Sequence, residues 1–133
     1  MKISEEEVAF VSAQESLEEG VSFIRDNSDI KILFVTLGNK GSIAYYKDEK
    51  IYCRGIHQEH VVDTTGAGDT FCGAVLSRIL ELGTDALTEK DIREMLLFAN
   101  AAASIVVTRK GALCSMPEPE EIRAASSLID KVL

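Results

Sequence analysis

The segment Val61-Val62-Asp63-Thr64-Thr65-Gly66-Ala67-Gly68-Asp69-Thr70-Phe71 carries the residue types and spacing best suited to chemistry. Two β-branched residues end an extended stretch, a turn punctuated by Gly66 and Gly68 follows, and from Ala67 the pattern becomes helical and apolar. A turn of this kind leaves backbone N–H groups of the first helical turn without acceptors inside the helix. With the positive end of the helix dipole they make an anion site, and glycine lets an anion reach the backbone where a Cβ would hold it away. Into this anion-seeking turn the chain places a carboxylate, Asp69. A simple phosphate binder has no use for one. A phosphoryl-transfer site does, because it needs both an anion hole and a base for the attacking hydroxyl.

Other candidates carry less. Gly38-Asn39-Lys40-Gly41 lacks the GxxxxGK[ST] spacing of a Walker A loop, and its residues read as a hairpin turn. Glu5, Glu6 and Glu7 suit an acidic first helical turn on the positive end of a dipole. His57 and His60 share a polar bend with no further ligand pattern nearby, which describes solvated surface histidines. Arg109 and Lys110 could meet phosphates or brace a loop.

The whole chain sets bounds on these readings. Its 133 residues suffice for one hydrophobic core, and 46% hydrophobic with 27% charged residues is the balance of a folded globular domain. A net charge of −8 argues against nucleic-acid or anionic-membrane binding, so an anionic substrate has to be captured by a local site. No apolar run approaches the roughly 18 residues of a membrane span, and the first residues, Met1-Lys2-Ile3-Ser4-Glu5, show no signal-peptide core. Cys53, Cys72 and Cys114 are odd in number and widely spaced, suggesting neither a disulfide framework nor a zinc site. A cytoplasmic protein is expected.

The elements that must position the turn follow from periodicity. Residues 5–12 read as a short helix, and Ser16-Leu17-Glu18-Glu19 has capping-box spacing for a second helix through about Asp26. Lys31 to Leu37 is a near-continuous apolar run, suited to a strand covered on both faces. Residues 42–46 and 50–56 read as two more strands. A helix from Ala67 to Leu82 stops at Gly83, and its two apolar stripes (Phe71, Val75, Ile79, Leu82 and Cys72, Leu76, Leu80) predict a mostly buried element. Thr88 opens a long helix with Ile92, Met95, Leu96, Ala99, Ala103 and Val106 inward, and its thin Asn100-Ala101-Ala102-Ala103-Ser104 face could approach a sheet or flat ligand closely. Thr108 to Ala112 is a polar turn, and Pro119 starts the last helix. The predicted order is α-α-β-β-β-α-α-α. Three or four strands are few for so apolar a strand at 31–37, so the chain reads as part of a larger sheet.

The segment DTTGAGDTFCGAVL resembles the C-terminal signature of the ribokinase-like (PfkB) carbohydrate kinases. Thr36-Leu37-Gly38-Asn39-Lys40-Gly41 resembles the family's nucleotide-contacting turn, and Phe98 to Ala103 with Thr108 to Ala112 resembles its adenine-side helix and loop. These motifs fall in the family's order, and the match spans essentially the whole chain. The resemblance implies residues 1–133 as the C-terminal, nucleotide-binding and catalytic part of a three-layer α/β/α fold, without the lid and N-terminal strands. It implies Asp69 as catalytic base, with Gly66, Ala67 and Gly68 as the anion hole. Thr36, Gly38, Gly41, Gly68, Asn100 and Glu7 would serve ATP and Mg2+, with Ser4 standing where the family's N-x-x-E motif has Asn. A potassium-like ion would be held by Asp63, Thr65, Val106, Arg109, Gly111 and Ser115. Among members the sequence is most similar to fructokinases, so a sugar, fructose first, is the implied co-substrate, with ribose, a nucleoside or another sugar left open. A homo-oligomer is expected. A second reading is a non-catalytic fragment that binds nucleotide weakly or only self-associates.

Overall fold

The computed structural model describes residues 1–111 and 113–130 and shows one four-stranded sheet with helices on both faces. Along the chain run β1 (Lys2–Ser4), α1 (Glu5–Ser12), α2 (Leu17–Asp26), β2 (Ile32–Thr36), β3 (Gly41–Tyr46), β4 (Glu49–Arg54), α3 (Ala67–Leu82), α4 (Glu89–Val106) and α5 (Pro119–Asp130). The strands lie in the order β1-β2-β3-β4. β1 is parallel to β2 with Ile3 opposite Val35, and the other pairs are antiparallel, with Val35 opposite Ile43 and Ala44 opposite Ile51.

Alternation along the strands builds two cores. Leu33 and Val35 of β2 join Ile43 and Tyr45 of β3, Val8 of α1, and Val21 and Ile24 of α2. Ile32 and Phe34 point the other way and join Ala44, Tyr46, Ile51 and Cys53 with Phe71 and Val75 of α3 and Ile92, Met95 and Leu96 of α4. Burial on both faces is why residues 31–37 read as continuously apolar. The three-layer α/β/α expectation is met over the described residues, and the helices at 5–12, 17–26 and 119–130 start where expected.

Two expectations change. The element order gains a strand before α1, β1, so the sheet has the larger of the expected strand numbers, β2 has a neighbour on each side, and the two edges are β1 and β4. Three residues leading straight into a helix carry no readable period, and their pairing partner is distant in sequence. Helix α3 is not mostly buried. Phe71 and Val75 are at 2% and 1% exposure, but Leu76 stands at 52%, Leu80 at 87% and Leu82 at 44%. Only one stripe finds the sheet and α4. Ala112, expected in the polar turn, lies outside the described residues.

Helix starts are fixed by reciprocal caps. Ser4 and Glu7 form a capping box on α1, and Thr88 and Asp91 form one on α4. The Glu7 carboxyl is held below its ordinary range by the Ser4 N–H, and that of Asp91 by the Thr88 hydroxyl and N–H. Carboxyls with depressed folded values stabilise fully above their unfolded values, near pH 4, and lose that contribution as pH falls through the folded ones. Urea unfolding should therefore show a midpoint that drops between pH 5 and pH 3. Thr88→Ala should drop less over that interval, since one of the titrating interactions is already gone.

Candidate active site

The glycine turn and the start of α3 are held by three sets of bonds. The Asp63 Oδ1 accepts the Thr65 N–H at 2.9 Å, closing an Asx turn. The N–H groups of Val62 and Asp63 both donate to the Val107 carbonyl, at 2.8 and 3.2 Å, which ties the turn to the end of α4. Gly66 caps α3 at φ 83°, a left-handed conformation that favours glycine, and the Thr70 N–H donates to its carbonyl at 2.8 Å. The Ala67 N–H turns to the Thr64 carbonyl at 3.3 Å. Gly66, Gly68 and Asp69 are left with N–H groups that have no protein acceptor among the described residues. The Asp69 side chain is exposed on the same turn, without a hydrogen bond or ion pair among those residues. Thr70, next along, is buried at 7% exposure, and its hydroxyl has no partner among the described residues.

This turn forms one wall of a cavity of about 350 Å3. Thr64, Ala67, Gly68 and Phe71 face Thr36, Gly38, Asn39 and Gly41 across it. Gly55, Ile56, His57 and Gln58, leaving β4, close a third side, and Asn100, Ala103, Ser104 and Val107 form the α4 side. The thin face of α4 thus lies against both the sheet and the cavity. Concave, mostly apolar and edged by a few polar groups, the cavity has the make-up of a small-molecule site. The Gly38–Lys40 turn is both the hairpin connection from β2 to β3 and part of this lining.

Asn100 is a buried strut. Its Oδ1 accepts from Ser42 Oγ at 2.9 Å, and its Nδ2 donates to the carbonyls of Cys53 and Arg54 at 3.2 and 3.3 Å. The amide is spent on the ends of β3 and β4, so Asn100 shapes the cavity wall by pinning α4 to the sheet. Nearby, Gly41 and Gly55 bring two backbones together. A Cβ on Gly41 would lie 2.2 Å from the Cys53 carbonyl oxygen, and one on Gly55 would lie 2.3 Å from that of Asn39.

Glu7 does not line the cavity. Its carboxylate accepts the Ser4 N–H at 2.7 Å while Ser4 Oγ accepts the Glu7 N–H at 3.2 Å, so serine at position 4 acts as the α1 cap. The residues implied for a potassium-like ion fall in one neighbourhood. The Asp63 carboxyl is pulled below its ordinary range first by the side chain and N–H of Thr65, then by the Gly111 N–H and Lys110. Arg109 donates its N–H to the Val106 carbonyl at 3.1 Å, and its guanidinium reaches Glu121 at 2.5 Å and the Ser115 carbonyl at 3.4 Å. Ser115 Oγ donates to the Gly111 carbonyl. Hard oxygen donors and one ionised carboxylate suit a monovalent cation. His57 and His60 are exposed, and the described residues contain no group of three or more His, Cys, Asp or Glu able to hold a metal. No helix among the described residues is long and apolar enough to cross a membrane.

Sequence reasoning missed the wall from Gly55 to Gln58 and the Ser42 partner of Asn100. The glycine ending a strand pattern at position 55 was the available signal for close backbone approach.

Comparison with known proteins agrees with this geometry. Residues 1–119 match the pfkB family carbohydrate kinase profile. Fructokinase-1 of Oryza sativa subsp. japonica is 38% identical over 125 residues, covering 92% of this chain and 38% of its own length. A fructokinase double mutant from Vibrio cholerae, solved in fructose-, ADP- and potassium-bound form, superposes with a TM-score of 0.82 at 33% identity, covering 92% of this chain and 39% of that one. Arabidopsis thaliana ribokinase, solved with ribose and ATP, gives 0.77 at 33% identity over 94% of this chain and 39% of that one. The chain therefore spans about two fifths of the length of such relatives, 38% for the rice enzyme. On this match, with a ribokinase-like arrangement of sheet and helices, the chain belongs to the pfkB family of carbohydrate kinases.

Proposed function

We propose that this chain is the C-terminal, nucleotide-binding and catalytic part of a kinase that moves the γ-phosphoryl group of ATP to a sugar hydroxyl. The observation that carries this reading is the exposed Asp69 carboxylate on a helix turn whose Gly66, Gly68 and Asp69 N–H groups have no protein acceptor among the described residues, beside a cavity lined by Gly68. Asp69 takes the hydroxyl proton as the sugar oxygen bonds to the γ-phosphorus and the bond from phosphorus to the bridging oxygen breaks, leaving ADP. In a loose transition state the proton moves late, so an ordinary carboxylate suffices and positioning dominates. The free N–H groups hold the charge on the transferring phosphoryl. Ala67 joins them on release from the Thr64 carbonyl.

The cavity between Gly38, Gly41 and the α4 face takes the nucleotide, with Thr36 and Asn100 shaping its walls. Mg2+ keeps several waters and would be held chiefly by the phosphates with one or two carboxylates; Glu7, outside the cavity lining and bonded to the Ser4 N–H, is the candidate carboxylate and would have a free oxygen to offer. Bound there, the ion would offset phosphate charge. Asp63, Thr65, Val106, Arg109, Gly111 and Ser115 are the candidate surroundings of a potassium-like ion. Fructose is favoured by the rice and Vibrio relatives, and the Arabidopsis ribokinase keeps ribose as the competing sugar.

The open β1 edge and the exposed Leu76 and Leu80 support a second statement, that this chain alone lacks sugar-dependent turnover and tends to self-associate. Calorimetric titration with ATP, followed by an ADP-release assay with ATP and fructose, tests both. Binding without fructose-dependent release is expected. A chain that binds no ATP overturns the nucleotide site, and sugar-dependent release by the chain alone overturns the fragment statement.

A further inference from the structure

A second cavity lies at the opposite end of the sheet from the glycine turn. It measures about 360 Å3 and is walled by Arg25 in the last turn of α2, Lys31 just before β2, Tyr46 and Lys47 at the turn from β3 to β4, and Thr84 and Asp85 in the loop after α3. β3 runs from one cavity to the other, with Gly41 lining the first and Tyr46 the second, about 17 Å apart along the strand. The chain carries −8, yet here three cationic side chains surround one carboxylate. Asp26, Asp29 and Asp48, close by in sequence, do not line the cavity.

That carboxylate answers only one of the three cations. Lys31 Nζ lies 2.7 Å from Asp85 Oδ1. The Asp85 carboxyl is held below its ordinary range first by Lys31, then by the Thr84 hydroxyl, and the charge of Lys47 adds to the effect. Arg25 donates through one nitrogen to the Lys47 carbonyl, and the rest of its guanidinium has no partner among the described residues. Lys47 Nζ stands 4.9 Å from the centre of the Tyr46 ring, with no hydrogen bond or ion pair among those residues. The ring is a fixed floor, because Tyr46 is buried and its hydroxyl donates to the Thr84 carbonyl at 2.9 Å. Two cations without a counter-ion therefore share one end of a rigid cavity.

We propose that this cavity is a second anion site, which takes the phosphate group of a small phosphate monoester between Arg25 and Lys47. A guanidinium fork matches two phosphate oxygens, and an ammonium adds a point charge. A monoester carries about −1.5 to −2 at neutral pH, which balances these two groups. The volume falls within the roughly 300–1,000 Å3 of small-molecule sites, so room remains for the organic part of the ester. No lining residue is shared with the first cavity, so the proposal stands apart from the nucleotide reading. No bond is made or broken.

The test follows the amide NMR spectrum of this chain during titration with glucose 6-phosphate, with glucose, inorganic phosphate and potassium chloride at matched ionic strength as controls. Saturable shifts are expected at Lys31, Lys47, Thr84 and Asp85 with the ester and not with glucose or chloride. Lys47→Gln should weaken the binding about fivefold, and Lys47→Arg should keep most of it. Arg25→Gln should weaken it similarly, and serves as the test should Lys47→Gln not fold. No saturable shifts at these amides, equal shifts with chloride, or unchanged affinity in the Gln variants overturns the site. Shifts confined to Gly66, Gly68 and Asp69 overturn it too, since they place the anion in the first cavity. Inorganic phosphate binding more tightly than the ester overturns the monoester assignment.

Discussion

Asp69→Asn should lower turnover about a thousandfold in a kinase assembled to the length of its relatives around this chain, within the range that loss of a general base gives. The fold has little to lose. Asp69 is exposed and has no hydrogen bond or ion pair among the described residues, so asparagine breaks no contact there. Removing a carboxylate from the helix start weakens only a small favourable dipole interaction. The proposed anion hole also survives, because its donors are backbone groups. The loss should therefore appear in kcat, with KM for ATP nearly unchanged, as expected when an interaction is made only in the transition state. In this chain alone, ATP should bind Asp69→Asn as tightly as wild type or more tightly, since a negative charge has left the phosphate end. Turnover within tenfold of wild type would place the base elsewhere, and weaker ATP binding would contradict the position given to the carboxylate.

What could be read in the sequence was what depends on neighbours along the chain. Ser4, Ser16 and Thr88 each cap a helix through a residue three further on, so their spacing is visible directly. The glycine turn is equally local, with its Asx bond from Thr65 to Asp63 and its cap at Gly66. β2 announced itself because both of its faces are buried. What stayed hidden was non-local. β1 exists because Ile3 meets Val35, and no period in three residues reports that. Asn100 reads only as one residue of a thin helix face until Ser42, Cys53 and Arg54 are brought to it. The outer stripe of α3 misled for a different reason. Its leucines have the pattern of a buried face, but the described residues do not cover them. Periodicity reports what a helix face is made for, and burial reports what is there to meet it.

Gly41→Ala should destabilise the chain by about 4 kcal/mol, combining the roughly 1–3 kcal/mol of forcing a side chain into positive φ with a similar cost of overpacking. Gly41 sits at φ 118°, and the new Cβ would stand 2.2 Å from the Cys53 carbonyl oxygen and 2.4 Å from the Gly55 nitrogen. Both are backbone atoms, so no flexible side chain can move aside. The first obstacle is also an Asn100 partner, since the Cys53 carbonyl accepts from its Nδ2. Pushing that carbonyl away frees a buried amide proton and loosens α4 from the sheet along one wall of the cavity. Against a total stability of about 5–15 kcal/mol for a domain of ordinary size, this is a large share. Gly38→Ala is the control. It has φ 58° and nothing within 4 Å of the new Cβ, so only the left-handed penalty of about 1–2 kcal/mol applies. Urea melts of both variants should separate clearly. Because the clash acts through the same carbonyl, Gly41→Ala combined with Asn100→Ala should cost less than the sum of the two single changes. Additive costs would show that the glycine contact and the Asn100 strut are independent.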